Sequence, residues 1–407
     1  MATLLHEVSG ARMAATVAAL ASDGFAGRRV GSPGGASARA WLANHLAALG
    51  ATVHTDEFPV RAVPDVAAAP IVSWGSDATA HRLTFGREVG IHLASANVPE
   101  VRHGLLGVVG ADSPTGRWLV VPTGMSLFDA YGHAHRAAGL LLNRPVDADG
   151  WQFTTLAGPD QGPLPILTLD PTTHQAVLAA ATDSGWLSGN APLRRLDVTA
   201  ANIHATVRPP ATGGVDLLLT AHYDGVGDHP GLRQPGAADN ASGVAVVLEA
   251  ARILAAGPLQ SVGLSVALLD GEEIGAFGSA HHAQRLRATG ANPLVVNVDG
   301  AGRLDHAVAV EAGGPAHQLL ALLDQAGRHT GVPLVAGPVA SDNRRYGSAG
   351  FAAVGIGAGM AGYHSAADTP DRVDPNTLTA VARLVLATVC LAALSAAAAP
   401  SPIGDKR

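Results

Sequence analysis

The stretch Val262-Gly-Leu-Ser-Val-Ala-Leu-Leu-Asp-Gly-Glu-Glu273 joins an apolar run to two adjacent carboxylates. The run has the length and composition of a buried strand, and Glu272 and Glu273 follow its carboxyl end. Two neighbouring carboxylates repel each other, so this position favours a positive partner such as a metal ion. In metal-assisted hydrolysis one carboxylate can bind the cation while its neighbour takes a proton from water. Alone, such a pair is more often a solvated surface feature.

Three other apolar runs end in, or lead to, a histidine or a carboxylate. They are Val215-Asp-Leu-Leu-Leu-Thr220 before His222, Pro293-Leu-Val-Val-Asn-Val298 before Asp299, and Ala352-Ala-Val-Gly-Ile-Gly357 before His364. Open α/β sheets build their sites at the carboxyl ends of the strands, so we expect these side chains to converge.

Two further acids lie close to these strand ends. Asp224 follows His222 by two residues, and a carboxylate at that spacing can orient a ligand imidazole. Asp239 opens a helical pattern that runs from Val244 to Leu254. Asp239 can serve as a metal ligand and also as the N-cap of this helix, because the two roles are compatible.

The candidate ligands comprise two imidazoles and three carboxylates, a set that suits zinc or a similar divalent ion. They are His222, Asp239, Glu273, Asp299 and His364. Five ligands exceed what one tetrahedral ion with an open position uses. Two ions about 3.5–4 Å apart that share a bridging carboxylate are the economical interpretation.

At this level of detail the chain resembles the M28 zinc aminopeptidases of the bacterial leucine aminopeptidase type. The phrases that carry the resemblance, in family order, are His222-Tyr-Asp224, Asp239-Asn-Ala-Ser-Gly243, Glu272-Glu273, Asn297-Val-Asp299 and Tyr363-His364-Ser365. The resemblance implies two zinc ions per chain, with cobalt or manganese as possible substitutes. It also implies that His222 and Asp299 complete one site, that Glu273 and His364 complete the other, and that Asp239 bridges them.

The same resemblance implies catalytic roles for three residues. Glu272 would be the general base that acts on a water at the metal centre, and Asp224 would orient His222. Tyr363 falls where some family members place a tyrosine that stabilises the tetrahedral oxyanion. A half-buried aromatic beside His364 is the alternative for Tyr363.

The expected activity is hydrolysis of the first peptide bond of peptides that have a free N-terminus. A carboxypeptidase-like M28 peptidase and a glutaminyl cyclase with a single zinc remain alternatives. A binding module without catalysis usually implies lost ligands, whereas here the full set is present.

One phrase departs from the family pattern. The family usually has Ser-Asp-His followed by an aromatic residue where this chain has Ser341-Asp-Asn343-Arg344-Arg345. The arginines could pair with a substrate carboxylate, and solvated surface arginines are the alternative. The preferred substrate side chain is therefore left open.

The predicted fold is a three-layer α/β/α sandwich with a mixed, mostly parallel sheet, interrupted by a β-rich inserted domain. Residues 1–58 and 197–407 form the predicted catalytic domain, and residues 59–196 form the insert. The insert lacks the metal motifs and alternates short apolar runs with Pro/Gly turns. Its phrase Ala134-His-Arg-Ala-Ala-Gly-Leu-Leu-Leu142 resembles a helix and strand of protease-associated domains.

Composition excludes several other classes of protein. The net charge of −7 and the absence of a basic patch argue against nucleic-acid binding. Cys390 is the single cysteine, so no intramolecular disulfide can form. The tail after Leu378 is apolar, and a helix packed on the sheet is expected rather than a membrane span. No secretory signal is visible, which favours the cytoplasm, with secretion as the alternative. Oligomeric state is left open.

Overall fold

The computed structural model describes residues 1–76, 79–209, 215–257 and 262–398. Its helices are α1 (Ala2–His6), α2 (Gly10–Leu20), α3 (Pro33–Ala48), α4 (Leu127–Gly132), α5 (Pro171–Ala180), α6 (Ser242–Ala256), α7 (Phe277–Thr289), α8 (His317–Thr330), α9 (Asn343–Ser348) and α10 (Pro375–Ala398). Short irregular helical turns lie at Asp23–Arg28, Ala237–Ala241 and Pro370–Arg372.

The strands are β1 (Thr52–Val66), β2 (Val72–Ser76), β3 (Thr79–Arg82), β4 (Val89–Ile91), β5 (Val98–Val108), β6 (Trp118–Val120), β7 (Gly139–Asn143), β8 (Ile166–Leu169), β9 (Trp186–Ala191), β10 (Leu193–Arg208), β11 (Val215–His222), β12 (Val262–Leu269), β13 (Leu294–Val298), β14 (Val308–Gly313), β15 (Leu334–Ala336) and β16 (Ala353–Gly357).

The first sheet has eight strands in the order β1-β10-β12-β11-β13-β16-β14-β15. Its four central strands, β12, β11, β13 and β16, run parallel to one another. Antiparallel pairing adds β10 and β1 on one side and β14 on the other. The carboxyl ends of the central strands therefore meet at one edge, as the sequence predicts.

Helices cover both faces of this sheet. Side chains along a strand alternate between its faces, so Leu217 and Leu219 point one way and Leu218 the other. Leu217 and Leu219 lie in the core shared with α2, α3, α6, α8 and α10. Leu218 lies in a separate cluster with Ala283 of α7 and Tyr346 of α9. The predicted three-layer α/β/α arrangement is confirmed.

The second sheet, in the order β3-β2-β9-β5-β6-β7-β8-β4, is formed between residues 72 and 191. In the chain, β1 precedes the second sheet and β10 follows it. These two strands pair as a long antiparallel ribbon that belongs to the first sheet. Thus residues 59–66 and 193–196, on the insert side of the predicted boundaries, pair within the first sheet. The division of the chain into domains stays a prediction.

The apolar C-terminal helix lies in the core. Its segment Pro375–Ser395 has the length and hydropathy of a membrane span, but 78% of an 18-residue window within it is buried inside the protein. It packs against α2, α6 and α8. Cys390 is a buried free thiol within this helix. Packing on the sheet is the observed role, as the sequence predicts.

A row of polar side chains joins β10 of the first sheet to α7 and α9. Nδ1 of His204 lies 3.0 Å from Nε2 of His282, whose Nδ1 lies 2.7 Å from the Tyr346 hydroxyl. Burial, together with the neighbouring His54, lowers the pKa of His204 to about 4. Burial, together with His204, lowers the pKa of His282 to about 3.

We expect His282 to make the fold sensitive to acid. Its folded-state pKa lies below the unfolded value of 6.5. Below pH 6.5 the unfolded chain therefore binds more protons than the folded chain, and the free energy of unfolding decreases as the pH is lowered. The free energy of unfolding should lose about 2 kcal/mol through His282 between pH 7.5 and pH 5. His282→Gln should show a correspondingly smaller loss in urea unfolding measured at the two pH values.

The exposed His135 offers the matched control, since His135→Gln leaves the buried row intact. Acid also affects the other histidines, and apart from His204, which contacts His282 directly, their contribution is common to wild type and His282→Gln. A His282→Gln protein that lost as much stability as wild type between the two pH values would contradict the assignment.

Candidate metal centre

The candidate ligands lie at the carboxyl ends of the four parallel central strands. His222 is the last residue of β11, and Asp299 directly follows β13. Glu273 lies in the loop after β12, and His364 lies in the loop after β16. Parallel strand direction alone brings these four loops together, because each strand delivers its last residues to the same edge.

Asp239 lies at the same edge, on the turn that leads into α6. The backbone N–H groups of Ala238 and Asp239 donate to the two carboxylate oxygens of Asp368, at 2.6 and 3.0 Å. The carboxylate of Asp239 therefore projects from a turn that Asp368 anchors.

The second predicted role of Asp239, as the N-cap of α6, is wrong. The cap position is Ala241, and Asn240 Oδ1 accepts from the backbone N–H of Gly243 at 3.0 Å. Asn240 thus supplies the polar contact at the helix start that the sequence assigned to Asp239. The carboxylate of Asp239 stays free to face the imidazoles.

The two oxygens of Asp239 face two different histidines. Oδ1 lies 3.3 Å from Nε2 of His222, and Oδ2 lies 3.1 Å from Nε2 of His364. Each imidazole has a second acidic neighbour: Asp299 Oδ1 lies 3.3 Å from His222 Nε2, and Glu273 Oε2 lies 3.0 Å from His364 Nε2. The five side chains thus form two halves that share Asp239.

Electrostatics in both halves favour positive charge. Burial opposes the charged form of His222, but Asp299 and Asp224 outweigh it and raise the pKa well above its ordinary value. The pKa of His364 is also raised well above its ordinary value, because Glu273 and Asp239 outweigh the effect of burial. Burial raises the pKa of Glu273. A cation placed between these buried carboxylates would stabilise their charged forms.

The donor set fits zinc. Two ligands of a tetrahedral zinc ion, each about 2.1 Å from the metal, lie about 3.4 Å apart. The facing donor atoms in each half are 3.0 to 3.3 Å apart. Donor atoms of His222, Asp239 and Glu273 all lie within 4.8 Å of one another. Imidazole nitrogen and carboxylate oxygen are both good zinc ligands.

Asp224 links the histidine to the carboxylate pair. Its carboxylate accepts from the backbone N–H groups of Glu272 at 3.1 Å and Glu273 at 3.3 Å. Nδ1 of His222 lies 3.2 Å from the Asp224 carbonyl oxygen and 3.5 Å from its carboxylate. The sequence suggested only the contact with His222, whereas Asp224 also fixes the loop that carries Glu272.

Glu272 lines an open cleft of about 450 Å³ that also borders Glu273 and His364. Burial raises the pKa of Glu272 well above its ordinary value, and Asp342 and Asp299 add to the shift. A carboxylate with a raised pKa takes up a proton more readily.

Tyr363 forms part of the wall of the same cleft. Its ring stacks on His364 with a centroid distance of 3.8 Å, and 42% of the residue is exposed. Burial and nearby carboxylates raise the pKa of its hydroxyl, so the hydroxyl keeps its proton and can donate a hydrogen bond.

The segment before β8 contacts the loop that carries His364. Phe153 packs on His364 with ring centroids 4.9 Å apart, and the backbone N–H of Thr154 donates to the His364 carbonyl at 2.8 Å. Ser365 donates to Asp147 at 2.7 Å. Sequence inspection did not detect these contacts, since nothing local in residues 144–165 marks them.

Arg28 is a second residue whose role was not apparent from sequence. Its fully buried guanidinium donates to backbone carbonyl oxygens of five residues, which are Leu20, Tyr223, Pro235, Gly236 and Asp239. It thereby ties the N-terminal segment to the turn that presents Asp239. No pattern in the sequence marks this role, because its partners are backbone carbonyl oxygens.

Three comparisons with known proteins bear on this centre. Residues 202–389 match the model of peptidase family M28. A probable zinc metalloprotease of Pyrenophora tritici-repentis (strain Pt-1C-BFP) is 36% identical over 114 residues. That match covers 26% of this chain and 23% of the relative, so the chain spans about a quarter of the relative's length.

Two solved structures share the fold over most of both chains. A zinc aminopeptidase from Bacillus subtilis matches with a TM-score of 0.71 at 18% identity, covering 94% of each chain. A glutaminyl cyclase from Porphyromonas gingivalis matches with a TM-score of 0.52 at 15% identity, covering 94% of this chain and 98% of its own. Residues 202–389 of this chain are thus similar to peptidase family M28, and the chain as a whole shares the fold of these two solved structures.

Proposed function

We propose that this chain is an aminopeptidase with two zinc ions, which hydrolyses the first peptide bond of peptides with a free N-terminus. The observation that carries the proposal is the position of Asp239 between two imidazoles, each backed by a further carboxylate. The zinc aminopeptidase of Bacillus subtilis, which shares the fold, supports the choice of activity.

His222, Asp239 and Asp299 would hold one ion, and His364, Glu273 and the second oxygen of Asp239 would hold the other. Zinc, when bound, acts as a Lewis acid that polarises a carbonyl and lowers the pKa of water.

Glu272 would take a proton from the attacking water and return it to the leaving amine. Asp224 holds the backbone of Glu272, so the base keeps a fixed position at the edge of the cleft. Tyr363 would donate a hydrogen bond to the developing oxyanion from the cleft wall. Glu272 and Tyr363 both border the space in which a peptide end can lie.

Two alternatives use the same fold. A glutaminyl cyclase with one zinc would need only one half of the paired arrangement, so the presence of both halves favours hydrolysis with two ions. A carboxypeptidase would bind the other end of the peptide. Blocking each end of the substrate separates these cases.

The test is hydrolysis of aminoacyl chromogenic substrates and short peptides by the zinc-loaded chain. We expect cleavage of peptides with an amidated carboxyl end, no cleavage after acetylation of the amino end, and about two zinc ions per chain. Removal of the metal with a chelator should abolish activity, and added zinc should restore it. Undiminished activity in chelator would refute the metallopeptidase mechanism, and cleavage of acetylated peptides would refute the aminopeptidase assignment.

A further inference from the structure

Two arginines of α9 form one wall of the cleft beside Glu272. Arg344 and Arg345 line it together with Glu273 and His364. Asn343, the residue before them, is buried and packs against Gly355 of β16, where an added Cβ would lie 2.6 Å from its side chain. The departure from the family phrase therefore places the two arginines, and not the asparagine, at the cleft.

Arg345 carries a charge that no carboxylate neutralises within the described part of the chain. Its Nη2 donates to the Gly275 carbonyl at 2.6 Å, and the side chain is otherwise exposed. Gly275 belongs to the loop that carries Glu272, since its own N–H donates to the Glu272 carbonyl at 2.8 Å. The guanidinium is thus fixed next to the loop of the proposed general base.

Arg344 is held in place by Glu311 of β14. The Nε of Arg344 lies 2.7 Å from Glu311 Oε1. The other oxygen of Glu311 accepts from the backbone N–H groups of Val339 at 2.8 Å and Ala340 at 2.7 Å. The Glu311 carboxylate therefore accepts from three donors, which are Arg344 Nε and two backbone N–H groups. Among the described residues, no carboxylate contacts the terminal nitrogens of Arg344.

The remaining wall of the cleft is less polar. Phe153, Thr155 and Ala157 line it, and they come from the segment that packs on His364. A volume of about 450 Å³ is within the range of small-molecule pockets. A substrate in this cleft would lie between an uncharged wall and two guanidiniums.

We propose that Arg345, assisted by Arg344, binds a carboxylate of the peptide substrate, so that the enzyme prefers peptides with a carboxylate close to the scissile bond. This inference rests on the proposed peptidase function. A guanidinium matches a carboxylate with paired N–H donors, and such charge-assisted bonds are about twice as strong as neutral ones. The carboxylate can come from an acidic side chain or from the free end of a dipeptide.

The experiment compares kcat/KM for pairs of peptides that differ only in one carboxylate. Leucyl-glycine against its amide tests the free end, and leucyl-aspartyl amide against leucyl-asparaginyl amide tests the second side chain. Aspartyl-alanine amide against asparaginyl-alanine amide tests the first. At least one pair should favour the carboxylate by about 10-fold or more in wild type. In Arg345→Gln that ratio should fall close to one.

The control is Arg287→Gln, which removes the same charge from an exposed position outside the cleft lining and should leave the ratio unchanged. Ratios near one for every pair in wild type would overturn the inference and leave the peptidase function standing, because the neutral amides are still cleaved. A high ratio that persists in Arg345→Gln would also overturn it. Failure to cleave any of the six peptides would instead refute the proposed function, and this inference with it.

Discussion

Glu272→Gln should lower kcat for peptide hydrolysis by about 10²- to 10⁴-fold while zinc remains bound, because the loss of a general base has about this size. Glutamine keeps the shape of the side chain, and the backbone N–H that donates to Asp224 is unaffected. It cannot accept the proton from water. Glu272 lines the cleft but does not belong to either pair of facing ligands, so the ions should stay. Steady-state kinetics and zinc content of the same preparation measure both effects.

The neighbouring residue provides the sharpest comparison. Glu273→Gln removes a charged ligand 3.0 Å from His364, so we expect loss of zinc together with loss of activity. Glu100→Gln, at an exposed position of β5, should change neither. If Glu272→Gln kept near-normal activity with both ions bound, the base would have to be another group. If it lost zinc as Glu273→Gln should, the two carboxylates would not have separate roles.

The sequence predicted the position of the site because the signal is local. Each apolar run of the central sheet ends in, or leads to, its own candidate ligand, and parallel pairing of the strands brings these candidates together. For this reason the convergence of His222, Asp299, Glu273 and His364 could be inferred without a structure. The number of donors predicted a shared carboxylate, and the resemblance to the M28 zinc aminopeptidases implied that Asp239 is that carboxylate.

The supports of the site could not be predicted in the same way. Arg28 donates to carbonyl oxygens as much as 211 residues away, and backbone carbonyls leave no trace in a sequence. Asp368 anchors the turn of Asp239 through backbone N–H groups, which any residue type supplies. The N-cap interpretation of Asp239 failed because Asn240 competes for the same helix start. These contacts depend on tertiary geometry and not on local pattern.

Asp239→Asn should remove zinc from both halves of the centre. The two carboxylate oxygens face different imidazoles, and an amide offers one weak oxygen ligand and one nitrogen that cannot bind. Loss of a group that merely orients a ligand costs about 10- to 100-fold in metal affinity, so loss of a shared ligand should cost more than about 100-fold. Zinc content should fall from about two ions per chain to well below one, and peptidase activity should disappear with it.

Asp299→Asn is the control, because Asp299 faces His222 alone. This variant should weaken one half only and retain about one ion per chain. The contrast between the two variants separates a bridging carboxylate from two independent sites, since every other proposed ligand serves a single half. Retention of one ion by Asp239→Asn, at the affinity found for Asp299→Asn, would mean that Asp239 belongs to one ion. The site would then be two adjacent zinc sites without a shared ligand, and the paired geometry around Asp239 would need another explanation.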